Sequence, residues 1–200
     1  MKIGIDLDGV VFDSEVQYRI YEELYEENYL HINKKIDNKA IKILDRFSWN
    51  EEEFRTFLEL YHEKVTKEAN FMPGAIEVLN LLKKEGHTLI IITARGGINK
   101  SLIPLTEKRL TEKGLDIFDK YYWGTENKFE ICNKENIDIM IDDNIEKCSA
   151  IADTGRKVIY FQDISSYDAC HDNITTLYNW GEIYRYIKNM NKERYIDNDK

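Results

Sequence analysis

One short segment near the start of the chain decides the fold: IGIDLDG, residues 3–9. It belongs to an apolar run at residues 2–7 that predicts a buried strand ending in two carboxylates, Asp6 and Asp8. Because side chains alternate along a strand, both carboxylates point to the same side, and Gly9 allows the chain to turn directly afterwards. Two close carboxylates repel each other unless a cation lies between them, and hard oxygen ligands favour Mg²⁺.

The same Asp-x-Asp spacing also begins the calcium-binding loop of EF-hand proteins. That motif requires a further acid or amide and then glycine, where this chain has Val10 and Val11. We therefore exclude a calcium loop.

Three further apolar runs predict buried strands, at residues 88–93, 137–141 and 157–161. Each is short and almost continuously apolar, which is typical of parallel strands covered on both faces. Segments with helical periodicity lie between and after these strands, at residues 73–86, 129–135, 145–152 and 180–190. The alternation predicts an α/β fold with a mostly parallel sheet.

Residues 15–70 are the exception, because they contain no good strand candidate. Apolar residues recur there among many glutamates and lysines, as in amphipathic helices: Leu24, Ile41, Leu44, Phe54, Phe57, Leu58 and Tyr61. We expect this segment to be a small helical cap inserted after the first strand, with residues 1–14 and 71–190 forming the core. The nearly all polar residues 191–200 predict a disordered tail.

The strand at residues 88–93 ends in a hydroxyl and is followed by a cation, in the sequence Thr93-Ala94-Arg95. A hydroxyl and the backbone N–H groups beyond it can hold a phosphate oxygen. Lys128 precedes a predicted helix and could reach the same phosphoryl group. Other interpretations stay open at this point: a capping role for Thr93, a surface ion pair for Arg95 and a solvated side chain for Lys128.

The strand at residues 137–141 is followed by two adjacent acids, Asp142 and Asp143. Burying like charges side by side is costly, so a metal ion is the natural compensation. Asp138 stands at the start of this strand, and we interpret it as structural.

These four motifs, in this order and each near a strand end, resemble the haloacid dehalogenase superfamily of phosphohydrolases. The resemblance covers roughly residues 1–162 and implies a Rossmann-like, three-layer core. By this resemblance Asp6 is the nucleophile that forms an aspartyl-phosphate, and Asp8 is the general acid and then the general base.

The resemblance also implies the other site residues. Thr93, Ala94, Arg95 and Lys128 would bind the phosphoryl group. Mg²⁺ would be held by Asp6, the backbone carbonyl of Asp8 and Asp143, with Asp142 acting through water.

The residue sequences of these motifs are most similar to those of the 5′(3′)-deoxyribonucleotidase branch and its bacterial relatives. This resemblance implies a nucleoside monophosphate substrate. The cap would select it, and four aromatic residues are candidates to face a base or sugar, although aromatics at helical spacing are usually core: Phe12, Phe47, Trp49 and Phe71. A phosphatase for a sugar phosphate or another small metabolite is the alternative enzyme. A binding protein for phosphate esters on the same scaffold is the alternative from another class.

Composition narrows the range of partners. The net charge of −9 disfavours a nucleic-acid polymer, because such binding usually needs a basic face. No apolar run approaches the roughly 20 residues of a membrane span. We expect a cytoplasmic protein with a small phosphorylated substrate, and the sequence does not indicate the oligomeric state.

Overall fold

The computed structural model describes residues 1–40, 42–162, 169 and 171–198. Ile41, one of the apolar residues predicted for the cap, lies outside this set, as do residues 199–200 of the predicted tail. The chain forms two compact units, which we call the core unit (Met1–Asp13 with Phe71–Lys200) and the cap unit (Ser14–Asn70).

Across residues 70–161 the strands and helices alternate along the chain. The strands are β1 (Lys2–Ile5), β2 (Phe12–Asp13), β3 (Asn70–Phe71), β4 (Thr88–Ile92), β5 (Lys120–Tyr122), β6 (Ile139–Asp142), β7 (Lys157–Phe161) and β8 (Ile174–Leu177). The helices are α1 (Glu15–Tyr25), α2 (Ile43–Arg46), α3 (Glu51–Glu68), α4 (Ala75–Lys84), α5 (Leu102–Glu112), α6 (Lys128–Glu135), α7 (Ile145–Ala152) and α8 (Trp180–Asn198), and a π-helical turn at Glu26–Leu30 continues α1.

Within the described residues, six strands form one sheet in the order β5-β4-β1-β6-β7-β8, and neighbouring strands run parallel. Strand β1 lies between β4 and β6, with Ile5 opposite Ile91 and Ile141. The carboxyl ends of these three strands therefore meet at one edge of the sheet, where ligands bind in α/β folds. This architecture confirms the predicted α/β fold with a mostly parallel sheet.

The sheet is stabilised by apolar side chains from its central strands and from the helices that flank it. Ile3 and Ile5 of β1, and Ile90 and Ile92 of β4, have no solvent exposure. Burying a side chain of this size contributes roughly 1.5–3 kcal/mol relative to leaving it exposed. The central strands are therefore rigid supports for the residues that follow them.

Some elements differ from the sequence prediction. Strand β1 ends at Ile5 rather than at residue 7, and β5, β8 and α5 have no counterpart in the prediction. Helix α8 does not end near residue 190 but continues to Asn198. Lys192, Glu193 and Arg194 are residue types that favour helices, so a polar composition did not prevent a helix there. No helix among the described residues combines the length and apolar character of a membrane span.

The cap unit has its own aromatic core. Tyr25 and Phe57 are fully buried, and the ring of Trp49 lies 4.7 Å from Phe47 and 5.0 Å from Tyr25 between ring centroids. Phe47 is only 1% exposed and Trp49 only 6%, so both belong to this core. Of the two roles considered for them, contact with a base or sugar and packing in the core, the structure supports packing, because neighbouring aromatics in the same unit cover them.

Candidate active site

Asp6 stands directly after β1, and its backbone N–H extends the pairing with β6 by donating to the carbonyl of Ile141 at 3.0 Å. Its carboxylate is buried, with Oδ2 only 2.7 Å from Lys128 Nζ. The other oxygen, Oδ1, is buried and has no hydrogen-bond partner within the described part of the chain. Burial raises the pKa of Asp6 above its usual value, Asp142 adds to the rise, and Lys128 opposes it.

Lys128 is the first residue of α6 and is 2% exposed. Its ammonium group lies 2.7 Å from Asp6 Oδ2 and 2.6 Å from Asp142 Oδ2, so it bridges the two carboxylates. Burial alone lowers the pKa of Lys128, but Asp6 and Asp142 outweigh that effect and raise it above the usual range. The buried lysine is therefore charged.

Asp142 and Asp143 follow each other at the end of β6. Both oxygens of Asp142 are engaged, Oδ2 by Lys128 at 2.6 Å and Oδ1 by the backbone N–H of Asn144 at 3.0 Å. The carbonyl oxygen of Asp143 accepts a hydrogen bond from Gln162 Nε2 at 2.8 Å. Desolvation raises the pKa of Asp143 well above its usual range, and Asp142 and Asp6 raise it further.

The acids fit a divalent cation. Asp6, Asp142 and Asp143 can each offer one carboxylate oxygen such that the three oxygens lie within 4.8 Å of one another. The donors are all oxygen, which suits Mg²⁺, and the unpartnered Oδ1 of Asp6 is available to it. Both oxygens of Asp142 already accept hydrogen bonds, which is consistent with Asp143 as the direct ligand.

The absence of a side chain at Gly9 leaves space for the carboxylate of Asp143. Its φ of +71° is a conformation that other residues rarely adopt, and a Cβ built on it would lie 1.9 Å from Asp143 Oδ2. The turn around it is closed by hydrogen bonds from Phe12 N to Leu7 O at 2.8 Å and from Gly9 N to Phe12 O at 2.9 Å. Trp180, which is fully buried, adds a bond from its indole N–H to the carbonyl of Val10 at 2.9 Å.

Thr93 and Ala94 follow β4, the strand next to β1. The hydroxyl oxygen of Thr93 accepts a hydrogen bond from the backbone N–H of Arg95 at 3.2 Å, and its carbonyl accepts one from Thr125 N at 2.8 Å. The N–H of Ala94 has no protein acceptor among residues 1–40, 42–162, 169 and 171–198. That N–H is thus a donor available to a phosphate oxygen.

Arg95 turns toward Asp8 rather than toward the acids around Lys128. Its Nε donates to Asp8 Oδ2 at 3.1 Å and its Nη2 donates to Asp8 Oδ1. The guanidinium also lies over the ring of Phe12, 4.8 Å from the centroid, and Arg109 lies 4.9 Å from the same centroid. Phe12 has no solvent exposure, so this candidate base contact is a packing residue.

The charged residues among the predicted site residues thus form two groups. Lys128 holds Asp6 and Asp142 with Asp143 beside them, and Arg95 holds Asp8. The residues that support these groups were not predicted from the sequence: Asn144, Gln162, Trp180 and Thr106, whose hydroxyl accepts from Arg95 Nη1 at 3.1 Å. Asn144 alone had a local signal, since an asparagine directly before a helix typically caps it, and its side chain does accept from Glu146 N and Lys147 N.

Comparison with known proteins identifies the family. Residues 3–130 match the family described as haloacid dehalogenase-like hydrolase. The chain belongs to this family. The match includes Asp6, Asp8, Thr93 and Lys128, and it confirms both the resemblance stated from the motifs and the prediction of a hydrolase.

Individual proteins are similar to this chain in sequence or in structure. A protein named nucleotidase from Clostridium acetobutylicum is 25% identical over 199 residues, which is 95% of each chain. A haloacid dehalogenase-like hydrolase from Streptococcus pneumoniae has a similar structure, with a TM-score of 0.70 at 17% identity over 93% of this chain and 97% of that one. A predicted phosphatase from Clostridium acetobutylicum also has a TM-score of 0.70, at 18% identity over 94% and 98% of the two chains. These structures establish the shared fold.

Proposed function

We propose that the chain is a Mg²⁺-dependent phosphomonoester hydrolase that acts on nucleoside monophosphates through an aspartyl-phosphate on Asp6. The observation that carries this proposal is the cluster around Lys128, whose ammonium group contacts the carboxylates of Asp6 and Asp142. Phosphoryl transfer to a carboxylate requires a fixed nucleophile beside fixed positive charge. Lys128 supplies that charge, and the end of β1 fixes Asp6.

Asp6 and Asp8 divide the chemistry. A carboxylate oxygen of Asp6 attacks the phosphorus, the bond from phosphorus to the ester oxygen breaks, and that oxygen takes a proton from Asp8. Water then attacks the phosphorus of the aspartyl-phosphate and gives a proton to Asp8. The bond between phosphorus and Asp6 breaks, which releases inorganic phosphate and restores both side chains.

The phosphoryl oxygens need donors that stay in place while charge develops. Lys128, held by two carboxylates, and the N–H of Ala94 beyond β4 are the proposed donors, with the hydroxyl of Thr93 beside them. The net charge of −9 repels an anionic substrate, so these local donors must dominate its binding.

Mg²⁺ would be held by Asp6, Asp143 and the backbone carbonyl of Asp8, with Asp142 acting through water. When bound, it would neutralise the acids and the phosphoryl oxygens that face them. The close approach of three carboxylates with one unpartnered oxygen supports this assignment.

The nucleotide substrate rests on the relative named nucleotidase, which matches this chain along almost its whole length. The cap unit stands between β2 and β3 in the chain, the place where the family resemblance expects the element that selects the substrate. Because Phe47 and Trp49 are buried in the cap core, other residues must contact the base.

Phosphate release tests the proposal. The panel contains 5′- and 3′-nucleoside monophosphates, in ribo and deoxy forms, together with sugar phosphates, each with and without Mg²⁺. We expect Mg²⁺-dependent release that is fastest from nucleotides and lost in Asp6→Asn, a variant that keeps the shape of the side chain. Release from sugar phosphates alone would reject the nucleotide substrate, and no release from any ester would favour the binding protein.

A further inference from the structure

The guanidinium of Arg95 is buried and held by hydrogen bonds within the protein. Arg95 is 3% exposed, and each of its three side-chain nitrogens donates a hydrogen bond. Nε and Nη2 donate to the two oxygens of Asp8, and Nη1 donates to the hydroxyl of Thr106 at 3.1 Å. A guanidinium held in this way has a fixed plane and a fixed direction.

The surroundings of Arg95 fix its position from several sides. Thr106 is fully buried in α5, and its hydroxyl in turn donates to the carbonyl of Leu102 at 2.7 Å. The ring of Phe12 covers one face of the guanidinium. The backbone is held as well, because the carbonyl of Arg95 accepts from Gly124 N at 2.9 Å. Arg95 is therefore a rigid support rather than a mobile surface cation.

Asp8 is the less constrained member of the pair. The side chain of Asp8 is 33% exposed, whereas that of Arg95 is 1% exposed. Asp8 therefore reaches the solvent while its two oxygens accept from Arg95, so the paired donors of the guanidinium fix the direction of this carboxylate.

We propose that Arg95 is the positioning residue for Asp8 in the second half of the reaction, in which Asp8 takes the proton of the attacking water. The inference rests on the proposed function, since Asp8 has this task only in a reaction with a covalent phosphoenzyme. It replaces the role of phosphate ligand that the family resemblance implies for Arg95. In this step water forms a bond to phosphorus, its proton moves to Asp8, and the bond from phosphorus to Asp6 breaks.

The two roles of Arg95 predict opposite kinetics. A residue that positions the base acts after the first irreversible step, so its removal lowers kcat and KM together and leaves kcat/KM unchanged. Removal of such a residue also increases the fraction of enzyme present as phosphoenzyme. A phosphate ligand acts on substrate capture, so its removal lowers kcat/KM and does not increase the phosphoenzyme.

The test compares wild type with Arg95→Met on p-nitrophenyl phosphate in the presence of Mg²⁺. This substrate releases a stable phenolate, so the first half of the reaction needs little help from an acid. Acid quenching and intact-protein mass spectrometry give the phosphoenzyme fraction. We expect the variant to lose about tenfold in the rate of phosphoenzyme hydrolysis and to keep kcat/KM within about threefold, given a contribution of 10²–10⁴ from a general base.

Three further variants make the result specific. Arg95→Lys keeps the charge without the planar pair of donors, so we expect a smaller rise in phosphoenzyme than in Arg95→Met. Thr106→Val removes the acceptor of Arg95 Nη1 and should give a small rise in phosphoenzyme. If Arg95→Met does not fold, this variant tests the positioning role in its place. Arg109→Met removes the second guanidinium over Phe12 and should match wild type.

Each outcome separates the inference from the proposed function. A fall in kcat/KM without more phosphoenzyme in Arg95→Met would overturn the positioning role and restore Arg95 as a phosphate ligand, while leaving the phosphatase intact. A wild type that forms no phosphoenzyme and hydrolyses no ester would overturn the proposed function, and this inference with it.

Discussion

Replacing Lys128 with methionine probes the interaction that holds the cluster together. The substitution keeps most of the buried stem and removes the ammonium group, which lies 2.7 Å from Asp6 Oδ2 and 2.6 Å from Asp142 Oδ2. Each contact amounts to about 6 kcal/mol of Coulomb energy at an effective dielectric constant of about 20. Much of that energy is offset by the desolvation of the three charges.

The expected net effect is large. Removing one member of a buried ion pair typically costs 3–5 kcal/mol, because the remaining charge is left without compensation. We therefore expect the free energy of unfolding of Lys128→Met, without metal, to be lower by about 3–5 kcal/mol, which corresponds to a fall in Tm of about 10 °C for a chain of this size. Mg²⁺ should stabilise the variant more than wild type, since two carboxylates have lost their cation.

Urea denaturation followed by tryptophan fluorescence, with EDTA and with Mg²⁺, measures these effects. Lys134→Met is the matched control, because Lys134 is an exposed lysine on the same helix, and we expect a change within about 0.5 kcal/mol. If Lys128→Met unfolds within about 1 kcal/mol of wild type in EDTA, the ammonium group is not the main compensation for these acids.

Further predictions concern the acids and the turn beside them. Asp143→Ala should weaken Mg²⁺ activation of phosphate release more than Asp142→Ala does, and the reverse order would exchange the direct and water-mediated ligands. Burial raises the pKa of Asp143 in the folded protein, so without metal the native state binds more protons than the unfolded state. The contribution of Asp143 to stability is therefore fully present below its unfolded pKa of about 3.9, and it is lost as pH rises through the raised pKa. Asp143→Asn should remove that loss and be more stable than wild type in EDTA at pH 7.5, and thermal unfolding from pH 4 to 8 would refute this if the two curves stayed parallel. Gly9→Ala should displace Asp143, because a Cβ at residue 9 would lie 1.9 Å from its Oδ2, and should therefore weaken Mg²⁺ binding. A Mg²⁺ titration unchanged from wild type would contradict this prediction.

The parts of the fold that sequence predicts well are those with a strong local pattern. Strands β1, β4, β6 and β7 are continuous apolar runs, and such runs have few alternatives to burial in a parallel sheet. Strands β5 and β8 lie at the two edges of the sheet. Edge strands are covered on fewer sides, so Lys120–Tyr122 and Ile174–Leu177 carry polar residues and no clear apolar run. Their pairing comes from neighbours distant in sequence.

Helix α5 was missed for a different reason. Pro104 lies in its first turn, where the missing N–H has no helical partner to lose. Proline usually interrupts a helix, but in the first turn of α5 it removes no helical hydrogen bond.

In the site, too, some residues can be predicted from the local sequence and others depend on contacts between distant parts of the chain. Asp6, Asp142 and Lys128 were found because acids and a lysine at strand and helix ends stand out from their neighbours. The pairing of Asp8 with Arg95 links residues 87 positions apart, and only the neighbouring placement of β1 and β4 brings them together. The burial of Phe47 and Trp49 is equally nonlocal, since it depends on the partners Tyr25 and Phe57.

The most direct test of the account is to identify the residue that becomes phosphorylated. Asp8→Asn is mixed with p-nitrophenyl phosphate and Mg²⁺, so that the covalent intermediate accumulates when its hydrolysis lacks the base. Borohydride then reduces the acyl phosphate to an alcohol, and peptide mass spectrometry locates the change. The account predicts conversion of Asp6, and of no other aspartate, to homoserine. Release of p-nitrophenolate with Asp6 unmodified, or modification at another carboxylate, would contradict it.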